Sequence, residues 1–276
     1  MRPYVAPPTY SGSQTSAYRL PHRLVLAVLW SIVRGRQRDI AVDTVRLLAP
    51  PRPAPQVEGA ESIPAQGPFL VVTNHYARPG LKAWWPAILL TWAIGRVRPD
   101  SPPRWLMVSE WTWPTWQYRY FVTPFTRRLF TGMAHTYSLI LTPPVLNHDY
   151  GVQQGAVAVR RFLSIAREAG QRSQVLAIAP EGREGPEGTL VSLAPGTGRF
   201  LLYLSKHLPI LPAAVHEQPA GVLMLRFGSA FGLAPPAGLP KERLDAWVAQ
   251  ETMGRVARLL PEGLRGEYVG SGPGSS

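Results

Sequence analysis

The stretch FLVVTNHYARPG, residues 69–80, decides which fold this chain is expected to adopt. Its first residues are apolar and rich in β-branched side chains, and turn and polar residues bound them, which predicts a buried strand over Phe69–Thr73. The strand runs directly into Asn74 and His75. Open α/β sheets place their ligand crevice outside the carboxyl ends of the strands, so His75 is either a functional imidazole or an ordinary loop histidine at a favoured position.

Strand-like and helix-like segments alternate along the rest of the chain. The predicted strands are Trp105–Val108, Tyr137–Thr142, Val175–Ala179, Ile210–Val215 and Val222–Phe227, and the predicted helices are Leu81–Ile94, Val152–Glu168, Arg199–Lys206 and Lys241–Leu260. Alternation of this kind predicts an α/β fold with a mainly parallel central sheet covered by helices, preceded here by an N-terminal helical segment.

Composition divides the chain into four parts. Residues 1–22 are rich in Pro, Ser, Thr and Tyr and are expected to be disordered. Residues 23–55 contain a helical stretch over 24–48 and then the stiff linker PPRPAP. The α/β domain is expected over 56–262, and a flexible tail over 263–276.

The net charge of +12 indicates an anionic partner. The chain has no long basic block, helix-turn-helix pattern, zinc-finger spacing or RNA-binding aromatic signature, so no nucleic acid is expected. The absence of Cys excludes disulfides, thiolate nucleophiles and Cys-ligated metals. The six His residues show no ligand spacing apart from the weak pair His148-Asp149, so no metal is predicted.

Two apolar features favour a membrane surface as that partner. The run Leu24–Val33 is flanked by Arg residues and, at ten residues, is shorter than the about 20 that span a bilayer, which suits an interfacial helix or a plain packed helix. The segment Trp105–Trp116 carries four of the nine Trp residues, as expected at a membrane interface or in a Trp-rich core. Residues 1–20 lack the apolar core of a secretory signal. The expected location is therefore peripheral, on the cytoplasmic face of an anionic membrane.

A second segment carries the chemistry further. The residues AIAPEGREGPEGTL (177–190) place Pro-Glu-Gly-Arg after a predicted strand, and residues 207–215 read HLPILPAAV after a predicted helix. By itself the Pro-Glu-Gly sequence is typical of a turn. In order and spacing, however, these blocks and VVTNH together resemble the glycerolipid acyltransferases, the family of glycerolphosphate and lysophosphatidate acyltransferases. The resemblance runs from about Val57 to about Phe227.

The resemblance implies transfer of a fatty acyl group from a thioester donor, acyl-CoA or acyl carrier protein, to a hydroxyl of a lysolipid or glycerol-phosphate-type acceptor. It implies no cofactor beyond that donor. His75 would be the general base that takes the proton of the acceptor hydroxyl, a task that suits an imidazole whose pKa lies near working pH.

The same resemblance assigns the substrate-binding residues. Glu181 and Gly182 would shape the acceptor site, with Asn74 and Arg78 contributing from the loop that carries the histidine. Arg183 is the nearest cation for an acceptor phosphate, and the forked donors of a guanidinium suit that role.

The chain departs from the family pattern at three places. Arg183 follows Gly182 directly, where the family has a Thr between Gly and Arg. The Asp that should follow His75 by five residues is replaced by Gly80. The Gly-x-x-Phe-x-x-Arg phosphate block has no counterpart in residues 137–149, which contain no Arg, so an acceptor without phosphate is an alternative. Glu110 and Asp149 each follow a predicted strand and are the candidate acids to orient His75 in place of the Asp, and the sequence does not choose between them.

Three functions remain open at this point. The first is a membrane-associated acyltransferase with an altered catalytic motif. The second is a catalytically impaired lipid- or acyl-binding protein of the same fold, in which His75 has lost its partner. The third is a basic adaptor that binds membrane surfaces through its Trp-rich face.

Overall fold

The computed structural model describes residues 18–50, 52–110, 116–142 and 164–270, and of residues 116–119 only the backbone. Seven strands within these ranges form one sheet in the order β1-β7-β6-β2-β5-β3-β4. They are β1 (Gln56–Glu58), β2 (Phe69–Val72), β3 (Arg104–Val108), β4 (Ile140–Thr142), β5 (Val175–Ile178), β6 (Ile210–Glu217) and β7 (Leu223–Phe227). All neighbouring strands are parallel except β6 and β7, which form a hairpin.

Helices cover this sheet. They are α1 (His22–Val33), α2 (Ile40–Leu48), α3 (Trp84–Val97), α4 (Trp116–Tyr137), α5 (164–171), α6 (Thr197–Ser205) and α7 (Lys241–Arg258). The predicted α/β class, with a mainly parallel sheet and an N-terminal helical segment, is confirmed. None of the helices in the described ranges combines the length and the apolar character that crossing a bilayer requires.

Strand β2 lies in the middle of the sheet. All four of its residues are fully buried, which is expected of a parallel strand covered on both faces. Its register aligns Val72 with Ile178, the last residue of β5, so the two strands end at the same level. The loops that follow these two strands therefore start side by side.

The largest error of the sequence prediction concerns residues 116–142. The prediction had no helix here and a strand over Tyr137–Thr142, whereas α4 extends through Tyr137 and β4 begins at Ile140. The helix is rich in Tyr, Phe and Thr and contains Pro124, and these residues are poor indicators of a helix. Ser138 ends it with a left-handed φ of 55°.

The N-terminal segment also differs in detail from the prediction. The single helical stretch over 24–48 is two helices, because Asp39 caps α2 by accepting hydrogen bonds from the backbone of Ala41 and Val42. Helix α1 packs on α4, and α2 packs on α3. The described chain starts at Tyr18, whose ring is buried and whose hydroxyl donates to Pro53, so the predicted disorder of residues 1–22 does not include this residue.

The end of the chain is ordered further than its composition suggests. Two short 3-10 turns, Glu262–Leu264 and Gly266–Tyr268, follow α7. Leu264 and Tyr268 are buried, so the burial of these two side chains corrects the prediction of a flexible tail over 263–276 for residues 263–270. Residues 271–276 lie outside the described ranges, as do Asp149 and most of the predicted helix Val152–Glu168.

Candidate active site

The structure brings the two motif loops together at the carboxyl edge of the sheet. The carboxylate of Glu181, which follows β5, accepts the backbone N–H of His75 at 2.6 Å. Its second oxygen accepts the backbone N–H of Val191 at 2.8 Å. Glu181 is only 5% exposed. This one side chain therefore holds the histidine loop against the loop that carries the Pro-Glu-Gly sequence.

Burial raises the pKa of Glu181 to about 7. The cause is the loss of water around a carboxylate, which disfavours the charged form. The two backbone N–H groups and the nearby Arg183 oppose the shift, because each of them stabilises the charged form. Glu181 thus exchanges a proton close to neutral pH while it supports the main chain of His75.

Asn74 supports the same loop from the other side. Its side-chain amide donates to the carbonyl of Val215 and its oxygen accepts the N–H of Val215, both at 2.8 Å. Just beyond the end of β2, the side-chain amide of Asn74 therefore makes the two hydrogen bonds to β6 that the backbone of another β2 residue would make. Asn74 is 2% exposed. In this structure the side chain of Asn74 holds the histidine loop to β6, whereas the resemblance assigned it to substrate binding.

The imidazole of His75 is partly buried and has an open hydrogen-bonding position. No described residue hydrogen-bonds to its buried Nδ1 atom. Burial lowers the pKa of His75, and the negative charge of Glu184 partly offsets that effect. His75 is therefore neutral at neutral pH, which is the form in which an imidazole accepts a proton.

Backbone geometry explains why no Asp follows His75 by five residues. Arg78 and Leu81 exchange backbone hydrogen bonds at 3.0 and 2.9 Å across the turn Pro79-Gly80. Gly80 has a φ of 86°. A Pro followed by a Gly at positive φ is the pattern of a type II turn, and a side chain at Gly80 would be strained there. The missing carboxylate is thus replaced by a turn that requires glycine.

Of the two candidate replacement acids, only Glu110 belongs to the described part of the chain, and it does not bind Nδ1 of His75. Glu110 is 4% exposed, and its carboxylate accepts a hydrogen bond from the guanidinium of Arg127. It does not reach Nδ1 of His75, which has no partner in the described part of the chain. Asp149 lies outside the described residues.

Arg78 is held in a buried ion pair. Its guanidinium donates to the carboxylate of Glu217 at the end of β6 and, at 2.6 Å, to the carbonyl of Pro79. The two side chains of the ion pair are 9% and 1% exposed. In this structure Arg78 ties the end of the histidine loop to β6, whereas the resemblance placed it among the substrate-binding residues.

A cavity of about 450 Å³ opens beside these loops. Residues 183–191 form one wall, and Gly266 and Glu267 form the other. Gly182 turns the chain into that wall with a φ of 63°, and Arg183 is exposed on it. The structure therefore places both residues next to the histidine loop, where the resemblance puts the acceptor.

Sequence reasoning missed two acidic residues of this site, Glu184 and Glu267. The only signal for Glu184 in the sequence is its position three residues after Glu181, in the same charged segment. Glu267 belongs to the segment that composition assigned to a flexible tail, and no sequence signal connects it with the site. No group of three or more His, Asp or Glu side chains suited to a metal ion occurs in the described ranges.

Comparisons with known proteins found a likeness among solved structures. No family model matches the sequence, and no curated protein matches it either. Among solved structures, the chain is similar to the crystal structure of the 1-acyl-sn-glycerophosphate (LPA) acyltransferase PlsC from Thermotoga maritima, with a TM-score of 0.45 and 16% sequence identity. The likeness covers 88% of this chain and 85% of that chain.

Proposed function

We propose that this protein is an acyltransferase that moves a fatty acyl group from a thioester donor, acyl-CoA or acyl carrier protein, to a hydroxyl of a lysolipid or glycerol-phosphate-type acceptor. One observation carries the proposal: the carboxylate of Glu181 binds the backbone N–H of His75 and so joins the two motif loops, 106 residues apart in the chain, at one sheet edge. The sequence resemblance of both loops to glycerolipid acyltransferases supports the same reaction.

His75 acts as the general base. Its neutral imidazole takes the proton of the acceptor hydroxyl while the hydroxyl oxygen forms a bond to the thioester carbon. The carbon–sulfur bond then breaks, and the sulfur leaves as a thiolate that receives the proton from the imidazolium. The lowered pKa of His75 keeps the base in its reactive form at neutral pH.

Among the described residues, no carboxylate binds Nδ1 of His75, where a carboxylate would stabilise the imidazolium. In the serine-protease triad, loss of such a partner reduces turnover by about 10⁴. We therefore expect slow turnover. The same observation, an Nδ1 atom without a partner among the described residues, favours the second candidate function, a protein that binds lipid or acyl chains without transferring them.

We further propose that the protein works peripherally on the cytoplasmic face of an anionic membrane. Helix α1 exposes Leu26, Leu29, Trp30 and Val33 to solvent, with Val33 77% exposed. Their spacing of i, i+3, i+4 and i+7 places them in one stripe, which we call the outer stripe. Apolar stripes of surface helices normally face the core, so a stripe facing water supports contact with another apolar phase.

The surroundings of the outer stripe fit a negatively charged membrane. The guanidinium of Arg34 lies 4.4 Å from the ring centre of Trp30. Helix α4, which packs on α1, exposes Phe121 at 76% and Phe125 at 65%. Arg128 is also exposed, seven residues after Phe121 on the same face. Arginines beside exposed aromatic rings suit the boundary between anionic head groups and acyl chains.

The decisive experiment is thiol release from acyl-CoA or acyl carrier protein with a panel of lysolipids. Wild-type protein is expected to release thiol with at least one acceptor, and His75→Ala to lose at least about 10²-fold in turnover. His207→Ala is the matched control, because His207 is exposed and lies outside the site. No thiol release by the wild type with any pair of substrates would favour the lipid-binding function instead.

A further inference from the structure

The second wall of the cavity is made by the C-terminal turns. The backbone N–H of Leu190 donates to the carbonyl of Leu264 at 3.0 Å. Gly266 has a φ of 51° and lies so close to Leu190 that an added Cβ would be 1.9 Å from the carbonyl oxygen of Leu190. The buried ring of Tyr268 anchors the other side. Glu267, between Gly266 and Tyr268, is therefore held at the cavity by fixed backbone.

The cavity adjoins the proposed reaction centre. Val191 lines it, and the N–H of Val191 shares the carboxylate of Glu181 with the N–H of His75. Gly188 packs against the ring of Tyr76, the residue that follows His75, where an added Cβ would be 2.5 Å from a ring carbon. One carboxylate thus joins the backbone of a cavity residue to the backbone of His75, so the cavity lies next to the histidine loop.

The charges around the cavity do not suit a phosphate monoester. Among the described residues that line it, Arg183 is the one cation, and Glu184 and Glu267 are two anions, which gives a formal sum of −1. The hydroxyl of Ser192 donates to the carboxylate of Glu267 at 3.4 Å. A dianionic phosphate would face two carboxylates, whereas a protonated amine would be attracted to them.

We propose that this cavity selects an acceptor whose head group carries a protonated amine, bound by Glu267, rather than a dianionic phosphate monoester. Arg183 then binds the phosphodiester of a zwitterionic head group, and Glu267 is a specificity-determining residue. The inference rests on the proposed acyl transfer and names the class of acceptor for the same site.

Three lysolipids that share one acyl chain and differ in head group test which charged group the cavity prefers. Lysophosphatidylethanolamine carries the amine, lysophosphatidylglycerol has one negative charge and no amine, and lysophosphatidate carries the phosphate monoester. The expected order of kcat/KM for the wild type follows this sequence, with lysophosphatidylethanolamine highest. Lysophosphatidylglycerol distinguishes a preference for the amine from a mere preference for less negative charge.

Variants at Glu267 test which residue sets the order. Glu267→Gln should lower the ethanolamine-to-phosphatidate ratio of kcat/KM by about two- to five-fold, the range of an exposed ion pair. Glu267→Lys should lower it further in the same direction. Glu262→Lys is the control, because it makes the same charge change on an exposed residue of the same segment, outside the cavity. Thermal unfolding checks that all variants fold.

The outcomes separate this inference from the proposed function. Transfer to lysophosphatidate in preference to the amine-bearing acceptor would overturn the inference and leave acyl transfer standing. An unchanged ratio in Glu267→Lys would also overturn it. If no acceptor is acylated, saturation-transfer NMR with glycerophosphoethanolamine and glycerol 3-phosphate still decides, because tighter binding of glycerol 3-phosphate refutes the inference independently of turnover.

Discussion

The substitution Glu181→Gln tests whether the side chain of Glu181 holds the two motif loops together. The wild-type carboxylate accepts two backbone N–H groups, from His75 and Val191. A glutamine has one oxygen, so it can accept one of them, while its own NH₂ group faces the other. Leaving one buried donor without an acceptor costs about 1–3 kcal/mol of unfolding free energy.

The effect of this substitution depends on pH, and its sign follows from burial. The pKa of Glu181 rises from its ordinary value of 4.5 to about 7 in the folded protein. Between these values the unfolded chain has released a proton that the folded protein keeps, so wild-type stability falls as pH rises. The shift corresponds to roughly 3 kcal/mol. Glutamine does not titrate and lacks this loss.

The two effects together predict that the difference in stability between the wild type and Glu181→Gln shrinks, and can change sign, as the pH rises. Near pH 5 Glu181→Gln should be less stable than the wild type by about 1–3 kcal/mol. Near pH 8 the difference should shrink to about zero or reverse, because only the wild type then has a buried carboxylate in its charged form. Urea unfolding of both proteins at pH 5, 6, 7 and 8 measures this, and other titrating groups cancel in the comparison.

Glu187→Gln serves as the control, since Glu187 is exposed in the same loop. It should follow the wild type at every pH. A constant difference between wild type and Glu181→Gln from pH 5 to pH 8 would refute a raised pKa for Glu181. An equal stability of the two at pH 5 would show that the side chain of Glu181 does not hold the loops together.

Three further predictions follow from the site and its surroundings. Gly80→Asp, which restores the family's residue, should cost about 1–2 kcal/mol because of the positive φ, and thermal unfolding with no loss would contradict the turn described above. Arg78→Met should destabilise the protein by about 3–5 kcal/mol in urea unfolding, since it removes one partner of a buried ion pair; a loss below 1 kcal/mol would mean that the ion pair is not structural. The double substitution Trp30→Ser and Val33→Ser should reduce flotation with anionic liposomes at low salt, whereas Val45→Ser on α2 should not, and equal flotation of all three proteins would exclude the outer stripe as the contact.

The absence of the Asp is explained by the whole turn around Gly80 and not by that residue alone. Pro79-Gly80 closes a tight turn, and the buried pair of Arg78 with Glu217 holds that turn to β6. An Asp at Gly80 would disturb this turn, and nothing in the turn directs its carboxylate to Nδ1 of His75. Raising the turnover therefore requires an acid from another loop, and the negative charge that acts on His75 among the described residues is that of Glu184.

Local sequence was sufficient wherever a short pattern determines a structure. The apolar run before His75 identified β2, and the alternation of segments identified the class of fold. The same reasoning failed for α4, because its aromatic and Thr-rich composition favours strands, and its stability comes from packing against α1.

The tertiary structure alone decided which residues meet at the site. Glu181 binds the backbone of a residue 106 positions away, and Asn74 pairs with Val215, 141 positions away. Glu267 reaches the cavity only because Gly266 and Tyr268 pack the end of the chain against it. Sequence patterns record what neighbours along the chain prefer. Contacts over such separations depend on sheet register and on close packing, which no local pattern contains.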